Sequence, residues 1–267
     1  MSELACLDGT IAPAAETVIP VTDEGLLRGD GAFEVIRVYD GQPFLLDEHL
    51  DRMKTSVANL RLEGPFHRER YEGEAAELLL ARGGGSFDGC LRLLLTRGGR
   101  RLLLTEQAPT HLDAVRLAAI TYAPTRLLTA VKSLSYGANM LATRIAHERG
   151  CDEALLVTPH GRVLEAPTSS LFWVDGDGQL CTTPLDDHVL ASITRAHLLE
   201  LLDVREQSVG LDELKATARE AFLASTIREV QPVAAIDELE LPAPGEVTAA
   251  AAAAFAAHRD ELLRRGD

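Results

Sequence analysis

A two-domain α+β fold is what this sequence predicts, and three observations carry the prediction. Strand and helix signals alternate over residues 1–120. A stretch without clear periodicity and containing Pro124, "YAPTRLLTAVK", follows and reads as a linker over 121–130. A second series of helices and strands then occupies 131–267 and ends in an Ala-rich segment. The first series reads as an α+β unit of about 120 residues, and the second adds a further set of helices and strands.

In the first part, "ETVIPVTDEG" and "GAFEVIRVYDGQPFLL" are rich in β-branched and aromatic residues and read as strands, with "YDGQ" as a hairpin turn. "DEHLDRMKTSVANLRL" carries Leu50, Met53, Val57 and Leu60 at helical spacing. "ERYEGEAAELLLARGGG" reads as a second helix stopped by glycines. "CLRLLLTRGGRRLLL" reads as two strands around Gly-Gly, and "AVRLAAITYA" as another strand.

In the second part, "SYGANMLATRIAHERG" predicts a helix stopped at Gly150. "DEALLVTPHGRVLEAPTSSLFWVDGDGQLCTTP" predicts three strands turning at "PHG" and "DGDG". "ITRAHLLELLD", "GLDELKATA" and "EVTAAAAAAFAAHRDELLRR" predict helices, with the strand "EAFLAST" between the last two. The Ala-rich end has high helix propensity and arginines in its last turn, which predicts a docked helix rather than low complexity.

Composition narrows the function classes. The formal net charge is −15, and an acidic surface repels phosphate backbones and anionic lipids, so neither nucleic acid nor membrane is an expected partner. Cys6, Cys90, Cys151 and Cys181 form no metal-ligand spacing and no disulfide framework. With no long apolar run and no basic-then-apolar leader in "MSELACLDGT", the expected location is the cytoplasm, and no metal site is expected.

Lysines are scarce, three among 26 basic residues. Lys54 lies on the polar side of a helix and Lys215 sits beside acids, both as solvated charges would. Lys132, in "LTAVKSLSYGANML", has small and apolar neighbours instead. Two readings stand on chemistry alone: a linker lysine with a snorkelling amine, or an amine made nucleophilic by desolvation and able to form a Schiff base. Glu165 likewise reads either as a strand-end carboxylate in solvent or as a partner for a cation, and Arg52 as a helix-surface guanidinium or an anion ligand. Thr194 reads as an N-cap or as part of an anion site at a helix start.

The segments "RGDGAFEVIRVYDGQPFLLDEHLDRM", "KSLSYGANMLATRIAHERG", "VLEAPTSSLFW", "SITRAHLLELL" and "LASTIREV" occur in the order and approximate spacing of one family. They resemble the class IV aminotransferases, the fold-type IV pyridoxal-phosphate enzymes, over roughly residues 20–240. The resemblance implies a small N-terminal domain, a larger C-terminal domain with a β-barrel-like core, a cofactor cleft between them and a homodimer. It implies that Lys132 holds pyridoxal 5'-phosphate as a Schiff base and shuttles the substrate proton. Glu165 is similar to the glutamate that pairs with the pyridine nitrogen. Arg52, the amides of Ile193 and Thr194, and Ser225 and Thr226 are similar to the phosphate ligands, and Tyr136 to a tyrosine near the cofactor's phenolic oxygen. The chain departs from the family pattern at Glu165-Ala166, at Ser169-Ser170 and at Ser192, where glycine is common before Ile-Thr-Arg.

Among family members the stretch Phe33-Glu34-Val35-Ile36-Arg37 discriminates. Branched-chain enzymes place glycine where Val35 stands, whereas D-amino-acid transaminases read Tyr-Glu-Val-Val. The D-specific Arg-x-His carboxylate trap is replaced here by Thr96-Arg97-Gly98-Gly99-Arg100-Arg101. Arg28, Arg97 and Arg100 are therefore the candidate carboxylate ligands, with Phe33 and Val35 lining the substrate. The implied reaction is ping-pong transfer of an amino group from D-alanine or D-glutamate to 2-oxoglutarate or pyruvate. The alternatives are aminodeoxychorismate lyase, which releases pyruvate and 4-aminobenzoate, and branched-chain L-amino-acid or (R)-amine transaminase.

Overall fold

A computed structural model describes residues 3–63 and 66–266 and divides the chain into two compact units. One unit comprises the chain to Thr110, Ala130–Tyr136 and the end from Leu262; the other comprises His111–Thr129 and Gly137–Glu261.

The first unit starts with the hairpin β1 (Leu4–Leu7) and β2 (Thr10–Pro13) and a short helix α1 (Glu24–Arg28). Then come β3 (Gly31–Tyr39), β4 (Gln42–Pro43), α2 (Leu46–Asn59), α3 (Arg68–Arg82), β5 (Gly89–Thr96) and β6 (Arg101–Glu106). The strands form one antiparallel sheet in the order β2-β1-β6-β5-β3-β4. Strand residues alternate faces, so Ala32, Glu34, Ile36 and Val38 of β3 share one face. That face packs with Leu91 and Leu93 of β5, Leu50, Met53 and Val57 of α2, and Tyr71 and Leu78 of α3. The expected "YDGQ" turn is present, with Asp40 and Gly41 both at positive φ. The expected strand in "ETVIPVTDEG" is absent: no residue from Thr17 to Asp23 is in a strand. Pro20 removes a ladder donor there, and Val18 and Val21 are exposed.

The second unit holds β7 (Val115–Thr121), α4 (Gly137–Glu148), β8 (Glu153–Val157), β9 (Ser170–Val174), β10 (Leu180–Thr182), α5 (Ile193–Leu201) and β11 (Val204–Glu206). It continues through α6 (Leu211–Thr217), β12 (Glu220–Ser225), β13 (Glu229–Ile236), β14 (Leu239–Glu240) and α7 (Glu246–Arg265), whose last turn falls in the first unit. Seven strands run β11-β10-β9-β12-β13-β7-β8, and β14 pairs with β13. The residues around Val163, between β8 and β9, make isolated bridges, Val157 to Val163 and Arg162 to Gly210. Those bridges, with Val163 N–H donating to Val209 O at 3.0 Å, curl the sheet toward a barrel. Leu117, Leu155, Leu171, Trp173, Leu223 and Val233 fill its interior. Ala142 and Ala146 of α4 cover the outside of β7 and β8. The Ala-rich segment is the docked helix α7, whose first turn is capped by the Glu220 carboxylate, accepting from Thr248 N–H at 2.9 Å.

The division differs from the expected 1–120 and 131–267 with a linker at 121–130. Strand β7 pairs in parallel with both β8 and β13, which assigns it to the second unit. Ala130, expected in the linker, and Val131–Tyr136, expected to open the second domain, belong to the first unit, where Lys132 and Leu134 hydrogen-bond to β3. Among the described residues no helix is long and apolar enough to cross a membrane.

Candidate active site

In the first unit the lysine segment joins the edge of β3. Phe33 N–H donates to Lys132 O at 3.0 Å, and Leu134 N–H donates to Gly31 O at 2.9 Å. Gly31 permits this close approach, since a Cβ there would stand 2.5 Å from Leu95 O and 2.6 Å from Leu134 Cδ1. From α2, the buried Ser56 Oγ accepts from Lys132 N–H at 3.0 Å. Three main-chain bonds thus fix the backbone that carries the amine.

The Lys132 amine lies 4.3 Å from the Phe33 ring centroid and 5.7 Å from that of Tyr136. The two rings meet edge to face at 5.3 Å. Aromatic faces attract a cation while shielding it from water, so this pair of rings suits a half-buried ammonium. Val35 lies on the same face of β3 as Phe33. Arg92 of β5 stands opposite Val35 and approaches the Phe33 ring at 5.9 Å, with Glu106 as its ion partner at 2.9 Å.

On the core face of the same strand, Glu34 is fully buried. Arg52 grips it with one edge of its guanidinium, Nε donating to Oε1 at 2.7 Å and Nη2 to Oε2 at 2.6 Å. His49 Nδ1 lies 2.8 Å from Oε2. Burial raises the Glu34 pKa, but the charge and hydrogen bonds of Arg52, with His49, overcome it and hold the carboxyl down at about 2. Burial pushes His49 below its ordinary value, and Arg52 and Lys132 push it further, against the pull of Glu34. Arg52 is therefore fixed in orientation by a carboxylate one residue from Phe33.

The second unit carries the other candidates. Glu165 follows the buried Leu164, and its Oε1 accepts from Leu190 N–H at 3.1 Å. Tyr122 is raised in pKa by burial and then by the Glu165 charge, which places that carboxylate in its surroundings. Ile193 and Thr194 open α5 and are buried. Ser192, the departure from the family glycine, is the N-cap and accepts from Arg195 N–H at 3.3 Å. That bond uses one first-turn donor and leaves the amides ahead of it facing the helix entrance. Ser225 closes β12, against which α5 packs, Thr226 opens the turn after it, and both are half-buried.

Of the other candidates, Arg28 is exposed and paired with Glu24 at 2.5 Å, Arg100 pairs with Asp8 at 2.9 Å, and Arg97 binds Asp30 and donates to Leu60 O at 3.0 Å. Sequence reasoning missed Glu34, His49 and Arg92. A signal for the first pair existed: Glu34 alternates with Ala32 and Ile36, which makes it a core-facing acid, and His49 precedes Arg52 by one helical turn. Among the described residues no group of three or more His, Cys, Asp or Glu side chains could hold a metal.

The family described as Amino-transferase class IV matches residues 31–236. A putative branched-chain-amino-acid aminotransferase of Methanocaldococcus jannaschii is 34% identical over 254 residues, 86% of this chain and 87% of that protein. A D-alanine aminotransferase of Bacillus licheniformis is 32% identical over 264 residues, 90% of this chain and 92% of that one. The solved fold IV-transaminase CpuTA1 of Curtobacterium pusillum superposes with a TM-score of 0.84 at 28% identity, over 97% of this chain and 98% of that chain. The chain belongs to the class IV aminotransferases and has their two-domain, fold-type IV architecture. It is a pyridoxal-phosphate-dependent aminotransferase. Groups of the chemistry that cofactor needs are present in each unit: a primary amine and a guanidinium in the first, and a carboxylate, hydroxyls and a helix start in the second.

The buried His49 makes stability pH-dependent with a definite sign. Its folded pKa lies below the ordinary 6.5, so below that pH the unfolded chain binds a proton that the folded chain does not. Acidification from pH 7 to 5 should lower stability, with a slope of up to about 1.4 kcal/mol per pH unit from this group. Urea titrations across that range should show His49→Gln with a shallower slope; an unchanged slope would assign the proton uptake elsewhere.

Proposed function

We propose that the enzyme transfers an amino group from a D-amino acid of the D-alanine or D-glutamate type to a 2-oxo acid such as pyruvate or 2-oxoglutarate. The observation that carries this reading is Val35 on the Phe33 face of β3, where the branched-chain pattern places glycine to make room for a branched side chain. The 32% identity to a D-alanine aminotransferase supports it. A second reading, transfer from branched-chain L-amino acids, is favoured by the 34% identity to the Methanocaldococcus jannaschii protein.

Pyridoxal phosphate, when bound, supplies the electron sink for carbanion chemistry at the substrate Cα. The residues do the rest. Lys132 Nζ would hold the cofactor and, as a free amine, would accept and return the substrate Cα proton. The Phe33 and Tyr136 rings beside that nitrogen would keep water from it, and Tyr136 would also serve the cofactor's phenolic oxygen. Glu165, oriented by Leu190 N–H, holds the proton on the pyridine nitrogen. Arg52 in the first unit, and the Ile193 and Thr194 amides and the Ser225 and Thr226 hydroxyls in the second, would serve as phosphate ligands.

The substrate carboxylate needs a cation, and Arg92 meets the same ring as Lys132. We assign it that role within the chain, with Arg28, Arg97 and Arg100 as ligands contributed across a homodimer. Exposed Val18, Val21, Leu26 and Leu27 supply apolar surface for such a dimer. The acidic surface and four free cysteines support a cytoplasmic setting.

Single half-reactions test the donor. D-Alanine alone should convert the visible absorbance of the holoenzyme to a near-ultraviolet band, and L-leucine should not. Conversion by L-leucine with D-alanine inert would establish the branched-chain reading instead. Arg92→Leu should raise the D-alanine KM by about tenfold or more with a smaller change in kcat, the loss of one charge-assisted contact. If only Arg28→Ala or Arg100→Ala does so, the carboxylate is bound by those residues.

A further inference from the structure

The turn that presents Ser225 and Thr226 is anchored from behind by a buried ion pair that no catalytic step uses. Strands β12 and β13 pair Ser225 with Glu229, which leaves Thr226, Ile227 and Arg228 as a three-residue hairpin loop. Glu229 has φ 53, the left-handed region that such loops usually give to glycine. A strained turn of this kind persists only where the surroundings over-determine it. Here they do. Glu229 is held by Arg259 at 2.6 and 2.7 Å, and Ile227 O lies 3.0 Å from His111 Nε2.

Arg228 is the deepest of these anchors. Its Nη2 donates to Glu153 Oε2 at 2.9 Å, and its Nη1 donates to Gln231 Oε1. Glu153 and Gln231 are both 3% exposed. Glu153 Oε1 accepts from Thr143 Oγ1 at 2.7 Å and from Ala154 N–H at 3.0 Å, so α4 and β8 fix the carboxylate. Gln231 Nε2 donates to Leu112 O at 2.9 Å. Burial lowers the Arg228 pKa, and the Glu153 charge opposes the shift. Two charges taken out of water gain little net stability from each other, so what this arrangement supplies is geometric.

The geometry reaches a proposed phosphate ligand directly. Arg228 N–H donates to Ser225 Oγ at 3.3 Å. A serine hydroxyl has one proton and two lone pairs, and occupying a lone pair from this side leaves the O–H to donate elsewhere. We propose that the Arg228–Glu153 pair is a positioning device for the cofactor phosphate: it sets the Ser225–Glu229 turn so that Ser225 and Thr226 present their hydroxyls to that group. This rests on the reading above, in which those hydroxyls are phosphate ligands.

The test compares pyridoxal phosphate with pyridoxal, which lacks the phosphate, by titrating each into full-length protein stripped of cofactor. Glu153→Gln/Arg228→Met removes both charges and avoids an unpaired buried carboxylate, and Arg228→Lys keeps the charge but loses the two-pronged grip. The double variant should bind pyridoxal phosphate about tenfold more weakly, with pyridoxal affinity and Tm near wild type, and Arg228→Lys should fall between. A purely structural role would lower Tm and weaken both ligands alike. Equal weakening, or no weakening, overturns the proposal. Ser225→Ala/Thr226→Val is the control: if it also leaves pyridoxal phosphate affinity unchanged, the phosphate-ligand reading itself fails. If it weakens that affinity while the ion-pair variants do not, only the positioning role is lost.

Discussion

Two backbone hydrogen bonds, Phe33 N–H to Lys132 O and Leu134 N–H to Gly31 O, are the constraint on which the first half of the site depends. They splice a seven-residue return of the chain, Ala130–Tyr136, onto the edge of β3. A lysine on a free connector would sample many rotamers and stay hydrated. Held to a strand edge, and tied by its N–H to Ser56 of α2, its amine is confined against the Phe33 and Tyr136 rings. A nucleophilic amine needs such an arrangement, because preorganisation removes the cost of ordering it at each turnover.

The same strand uses its two faces for two purposes. Phe33 and Val35 look toward the lysine side, while Glu34 between them points into the core and takes Arg52 and His49 from α2. A buried carboxylate is costly unless fully paired, and this one receives three contacts. The consequence is a guanidinium locked in direction. In the second unit the same logic recurs: Glu165 is oriented by a main-chain amide, and Ser192 caps the helix that carries Ile193 and Thr194.

Much of this was legible in the sequence. Periodicity located α2 through Leu50, Met53 and Val57, and Gly150 stops α4 at positive φ as a helix-ending glycine should. The scarcity of lysine drew attention to Lys132, and the spaced motifs around Glu165, Ile193-Thr194 and Ser225-Thr226 pointed to the family. What was not legible is non-local. Nothing in "YAPTRLLTAVK" says that the chain re-enters its first unit at Ala130, because that depends on strand-edge hydrogen bonds whose partners lie about a hundred residues upstream. The strand expected at "ETVIPV" failed because β-branched composition reports a preference for a half-buried pleated surface, and this segment has no strand to pair with. Arg92 was invisible for the same reason: its meeting with Phe33 is set by cross-strand register.

The central claim is that Lys132 carries the cofactor, and the scarcity of lysine makes it directly measurable. Borohydride reduction of the holoenzyme followed by peptide mass mapping offers only three candidates, Lys54, Lys132 and Lys215. The phosphopyridoxyl group should be found on the peptide containing Lys132 and on neither of the others. Its recovery on Lys54 or Lys215, with Lys132 unmodified, would contradict the account.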